Sequence, residues 1–221
     1  MKLKDNENLI VLGLFLGAVG LLSALVLALV SYVTAKPIAD AKAAQQRKAM
    51  SQVLPAFDND PSQLVFETVT PSKWQVKFMG AKKDGKLVAV AAAAVNPNGY
   101  GGDIEMLMGI APDGKVLAAL VTRQSETPGL GVNVCTRNFQ KTITNICKPH
   151  PAGLAPNIYL DQFNGKVADD KEWKTRKDGG NCEYRTGATI TSAAVIKLAY
   201  EIDRAYMLNQ KEILSRMGGV K

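Results

Sequence analysis

The chain has 221 residues, 47% of them hydrophobic, and a formal net charge of +7, enough for one apolar span and one globular domain of ordinary size. The excess lysines are scattered singly over turns and strand faces with no basic run interleaved with aromatics, which argues against nucleic acid as a partner and for a solvated surface or attraction to anionic lipid headgroups. Cys135, Cys147 and Cys182 make neither a Cys-x-x-Cys pair nor a zinc pattern, and His150 is the only histidine, so no metal site is expected.

No charged residue falls between Glu7 and Lys36, and Leu9 to Val33 is almost continuously Leu, Ile, Val, Phe, Gly and Ala. A membrane span needs about 20 such residues, whereas a cleaved signal peptide carries an apolar core of about 7 to 15. A retained anchor is therefore predicted, with a short N-terminus at 1–8, a transmembrane helix at 9–35, a linking helix at 36–55 and a globular domain at 56–221. The linking segment has a weak helical stripe of Ile38, Ala41, Ala49, Val53 and Leu54 and is expected to stop before Pro55. Lys2 and Lys4 precede the span while Lys36, Lys42, Arg47 and Lys48 follow it. By local charge count alone, that places the domain in the cytoplasm.

Strands follow. Trp74, Val76 and Phe78 alternate with Lys73, Gln75 and Lys77, a half-buried period of two. Lys83-Asp84-Gly85-Lys86 reads as a hairpin turn, and Leu87 to Val95 returns as a strand whose many alanines imply something packed close against it. Ile104 to Ile110 is a further strand, turned at Pro112-Asp113-Gly114, and Val116 to Thr122 runs back. Consecutive hairpins build an antiparallel sheet, so with flanking helices the class is α+β. Cys135 and Cys147 can pair in an oxidising compartment and leave Cys182 free, and three buried thiols fit as well.

The last helix is the most strongly patterned. Val195, Leu198, Ala199, Ile202, Ala205 and Tyr206 recur at three- and four-residue steps, with Lys197, Glu201 and Arg204 expected on the other side. Just ahead lies Thr186-Gly187-Ala188-Thr189-Ile190-Thr191-Ser192, which crowds hydroxyls onto a helix start. The first turn there has unpaired N–H groups and the positive end of the dipole, a low-cost seat for phosphate. Thr191 or Ser192 also suits an N-cap, as in any helix.

Thr186-Gly187-Ala188-Thr189 resembles the S/T-G-A-T motif at which a threonine of bacterial membrane redox proteins receives FMN through a phosphoester; Glu183 stands where that motif carries Asp. Upstream, Ser125-Glu126-Thr127-Pro128-Gly129-Leu130-Gly131 is similar to the S-E-T-P-G-L-G loop of the Rnf complex G subunit and the Nqr complex C subunit. Asn98-Gly99-Tyr100-Gly101-Gly102-Asp103 resembles the G-Y-G-G stretch of the Rnf G subunit rather than its Nqr counterpart. The chain is thus identified as a member of the Rnf G-subunit family, with an Nqr C-type subunit or a stand-alone membrane flavoprotein as the alternatives and a flavin-free membrane scaffold as a remote one.

The resemblance implies a redox subunit of an ion-translocating ferredoxin:NAD oxidoreductase, with its domain outside the bacterial cytoplasmic membrane. Its partners would be the other membrane and iron-sulfur subunits, among them a second FMN-carrying one. It implies FMN esterified to Thr189 by a separate transferase, Thr186 hydrogen-bonding locally and Thr191 capping the helix. Of the other loop, Ser125 and Thr127 offer hydroxyl donors, Gly129 and its neighbour Leu130 belong to a type II turn, and Glu126 braces that turn by accepting N–H bonds. Tyr100 stacks on the ring or packs on a partner.

Overall fold

The uncharged apolar run leaves its backbone no partner but itself, and a helix satisfies every peptide group internally. In the computed structural model, which describes residues 4–139, 153–168 and 172–218, it belongs to one helix, α1 (Lys4–Val53). Cys147 and His150 lie outside the described residues. Among the described residues α1 is the one helix long and apolar enough to cross a membrane. Its Leu14 and Leu27 are 71% and 70% exposed, a pattern that suits a helix surrounded by lipid. The span's hydroxyls are satisfied locally, Ser23 donating to the Val19 carbonyl and Thr34 to that of Val30, both at 2.8 Å. Pro37 lies inside α1, so the spanning and linking helices expected as two elements form one. Proline removes a single hydrogen bond here, and Ala35, Ala39, Ala41, Ala43 and Ala44 around it are the best of helix formers.

The chain divides into two compact units, Met1–Arg47 and Lys48–Lys221. The second is built on a five-stranded antiparallel meander, β1 (Val65–Val69), β2 (Gln75–Lys83), β3 (Lys86–Asn96), β4 (Ile104–Ile110) and β5 (Val116–Arg123), in that spatial order. The edge strand β1 was not expected: only Phe66 and, partly, Thr68 turn inward over its five residues, too short an alternation to stand out. The β2–β3 hairpin turns through Asp84 and Gly85 at φ +51° and +75°, the pair of left-handed residues a two-residue turn requires. After the sheet come the short α2 (Gly131–Cys135) and α3 (Ile158–Asp161), neither expected, and the long α4 (Thr189–Gly218).

One sheet face carries Phe66, Val76, Phe78, Met106, Met108 and Ile110, and the α4 stripe lies in the same core cluster, with Val195, Leu198, Ala199, Ile202, Ala205 and Tyr206 each at most 1% exposed. The other face carries Met79, Ala81, Ala89, Ala91 and Leu107 beneath Ala49, Met50, Val53 and Leu54. The alanines of β3 are therefore the flat middle of a sheet covered on both sides. Glu201 departs from expectation: it is buried, and its carboxylate accepts the Ser72 hydroxyl at 2.6 Å. Periodicity assigns a face but not a partner, and a loop donor has drawn this carboxylate in.

Candidate flavin-binding site

The meander brings the C-terminal end of β3, the start of β4 and the end of β5 to one edge of the sheet, with Asn96 opposite Ile104 and Glu105 opposite Arg123. The glycine-rich 97–103 connection and the 124–130 loop both leave from this edge. The start of α4 is fixed beside them by the buried Asn96, whose amide donates to the Ala194 carbonyl at 2.9 Å. Three segments far apart in sequence are in this way made neighbours.

The 124–130 loop closes as the sequence predicts. The Leu130 N–H donates to the Thr127 carbonyl at 3.2 Å across Pro128-Gly129, and Gly129 sits at φ +76°, the value a type II turn demands at that position. The Gly129 carbonyl then accepts from the Asn133 amide at 3.0 Å and the Arg185 guanidinium at 3.1 Å. Arg185, which sequence reasoning did not single out, thereby links this turn to the segment entering α4; its Nε is buried with no partner among the described residues. The charge of Glu183 is engaged elsewhere, in an ion pair with Arg176 at 2.7 Å.

Glu126 is the hub of the three segments. It is 5% exposed; its Oε1 accepts from the Gly101 N–H at 3.2 Å and its Oε2 from the Thr191 hydroxyl at 2.6 Å. A β-carbon on Gly131 would lie 2.6 Å from Oε2, and one on Gly101 would lie 2.0 Å from the Ser125 carbonyl oxygen, so only glycine lets the loops close on this side chain. Glu126 was expected to brace its own turn. It instead binds across to the 97–103 loop and to α4, an arrangement that no local pattern encodes. Beside it Cys135 is a buried thiol whose pKa is pushed up to about 12, first by burial and then by the Glu126 charge.

Thr191 is not the cap it was expected to be. α4 begins two residues earlier, at Thr189, so the Thr191 side chain already projects from the first turn toward Glu126. Ser192 serves the helix start: its hydroxyl donates to the Ala188 carbonyl at 2.8 Å and accepts the Arg185 N–H at 3.1 Å. Thr186 is exposed, and among the described residues its hydroxyl makes no hydrogen bond, where a local one was expected.

Between these segments lies a cavity of about 370 Å³ lined by Tyr100, Glu126, Thr127, Leu130, Gly131, Gly187, Ala188, Thr189, Ile190 and Thr191. Of the residues singled out from sequence, Ser125, Gly129 and Thr186 do not line it. Gly131, the second glycine of the 125–131 motif, lines it too, and so does Ile190, which was missed; Ile190 is 57% exposed, an apolar side chain off the α4 core stripe. The Thr189 hydroxyl makes no hydrogen bond among the described residues. The cavity has two chemically distinct parts. Thr189 and the first N–H groups of α4 suit a phosphate, while Tyr100, Leu130 and Ile190, each at least 42% exposed, suit the flat apolar body of a flavin. The residues present thus fit FMN.

An apolar helix followed by a domain with such a cavity defines a membrane-anchored flavin-binding protein, and comparison with known proteins agrees. Residues 99–202 match the FMN-binding domain family and residues 1–53 the RnfG N-terminal region. The chain is 35% identical to the G subunit of the ion-translocating oxidoreductase complex of Cereibacter sphaeroides over 192 residues, 85% of this chain and 79% of that one. It is 32% identical to the corresponding G subunit of Haemophilus influenzae over 216 residues, 93% of each, and 35% identical to that of Escherichia coli K12 over 187 residues, 81% and 80%. The chain belongs to the family of G subunits of Rnf-type ion-translocating oxidoreductase complexes.

Proposed function

We propose that this chain is the electron-carrying subunit of an Rnf-type complex, acting between reduced ferredoxin and NAD, and that it holds one FMN through a phosphoester to Thr189. The observation that carries the reading is the position of that hydroxyl: at the first residue of α4, lining the cavity and unbonded among the described residues, two residues before a Thr191 hydroxyl already committed to Glu126. FMN supplies the redox chemistry when bound. The chain's part is to hold it. The N–H groups of the first turn of α4 stabilise the diester's charge, and Gly187 and Ala188 leave room around the ester. No histidine is among the described residues that line the cavity, and Glu126 is engaged by Gly101 and Thr191, so forming the ester falls to a separate flavin transferase with a metal ion.

The apolar part of α1 anchors the chain in the bacterial cytoplasmic membrane at 9–35, with the domain from 56 onward on its outer side. Long domains translocate largely regardless of the charges beside the span, so the lysines after it do not oppose this. Tethering keeps the flavin at high effective concentration beside the other membrane and iron-sulfur subunits, including a second one that carries FMN. In the test, Thr189→Ala abolishes flavin fluorescence of the denatured polypeptide, while Thr186→Ala and Thr191→Ala retain it. Covalent flavin surviving in Thr189→Ala overturns the assignment. For topology, protease added to intact spheroplasts removes the domain; protection places it in the cytoplasm instead.

A further inference from the structure

A carboxylate costs several kcal/mol to take out of water unless it is paired or well hydrogen-bonded. Glu126 is 5% exposed and lines the cavity. Both its oxygens act as acceptors, from the Thr191 hydroxyl and the Gly101 N–H, which is the pattern of the ionised form. Among the described residues no lysine or arginine pairs with it, so its charge is offset by two neutral donors and the start of α4. The glycines around it keep other side chains away: a β-carbon on Gly99 would lie 2.6 Å from Oε1 and one on Gly131 2.6 Å from Oε2. A pin between loops needs only hydrogen bonds, which a glutamine or a serine also makes. A charge offset only by neutral donors in a cavity wall acts on whatever occupies the cavity.

Resting on the assignment of FMN to this cavity, we propose that the Glu126 carboxylate holds the flavin's reduction potential low. Oxidised flavin takes two electrons from a low-potential donor and one proton from solvent to give a reduced ring with one additional negative charge. A fixed negative charge in the wall raises the free energy of that product relative to the oxidised ring and so opposes reduction. Glu126 touches no reacting atom in this account; it is a positioning residue for α4 and, through its charge, sets the poise of the cofactor. Thr191 is its counterweight, because the hydroxyl donates to Oε2 and withdraws part of that charge.

The prediction has two opposite signs, which a purely structural role does not produce. The full-length flavinylated chain in detergent is titrated spectroelectrochemically at neutral pH, with dithionite and ferricyanide. Glu126→Gln, which keeps an acceptor for Gly101 and a partner for Thr191, shifts the midpoint potential to more positive values. Thr191→Ala, which leaves the carboxylate in place but strips its donor, shifts it to more negative values. Equal potentials in wild type and the Gln variant overturn the inference, and so does a folded Gln variant that takes up no flavin, since Glu126 is then an attachment residue only. If the Gln variant does not fold, Thr191→Ala decides alone, and an unmoved or raised midpoint there overturns it. A wild-type chain without flavin overturns the cofactor assignment itself, a distinguishable failure.

Discussion

The core beneath α4 and the loop cluster at the sheet edge each bury a carboxylate, and treat it differently. In the core, Asp203 is fully buried; one oxygen accepts the Ala168 N–H at 2.5 Å and the other has no partner among the described residues. Burial, opposed by that N–H bond, raises its pKa to about 7. In the cluster, Glu126 has both oxygens bonded, one of them to a hydroxyl two residues from the proposed flavin acceptor. The core is held by apolar area and tolerates an imperfect polar group; the cluster has little apolar area and depends on a few polar bonds being made. Changes in the first region are therefore expected to move stability most, and changes in the second to cost less stability but to move the cofactor.

The largest stability effect belongs to the core. Phe78 and Tyr206 are fully buried with ring centroids 6.0 Å apart, and truncating either to alanine costs about 3 to 5 kcal/mol, measured as a lowered denaturation midpoint. Asp203 comes next. Its folded pKa is raised from 3.8 to about 7, so the folded state binds the extra proton and stability falls as pH rises through that window, by up to about 4 kcal/mol. Asp203→Asn should flatten this slope; an equally steep slope in the variant removes Asp203 as its cause. Gly129→Val, at φ +76°, costs about 1 to 3 kcal/mol. The folded variant should still be flavinylated but with an altered absorption spectrum, and an unaltered spectrum detaches the turn from the site. Thr191→Val leaves Glu126 Oε2 without its donor at a cost of about 1 to 3 kcal/mol, read from the same denaturation curves. Thr189→Ala lies at the bottom of the scale, within about 0.5 kcal/mol, because its hydroxyl makes no hydrogen bond among the described residues. A loss at Thr189 as large as those in the core would erase the distinction between the two regions.

What was legible in the sequence follows the same division. β4 begins and ends where its apolar run does, β3 and β5 differ from expectation by a residue at their ends, and all six residues of the α4 stripe are buried, because periodicity records which face meets the core. β1, α2 and α3, of four or five residues each, are too short for a period to show. In the site, the three motifs mark which loops matter, and eight of the residues drawn from them line one cavity. Their wiring was not legible. That Glu126 binds Gly101 and Thr191, 25 and 65 residues away, depends on the sheet placing three loops at one edge. The start of α4 was misjudged for a related reason: Ile190 contributes to the cavity rather than the core stripe, so the first turn carries no core periodicity to announce it.

The central claim, that the first turn of α4 carries the flavin on Thr189 and not on its neighbours, is tested most directly on one peptide. Trypsin cutting after Arg185 and Lys197 releases Thr186 to Lys197, which contains Thr186, Thr189, Thr191 and Ser192 together. Fragmentation by electron transfer, which spares the phosphoester, should place the FMN mass on Thr189, leaving the other three hydroxyls unmodified. FMN mass on Thr186, Thr191 or Ser192, or an unmodified peptide from a chain that carries covalent flavin elsewhere, contradicts the account.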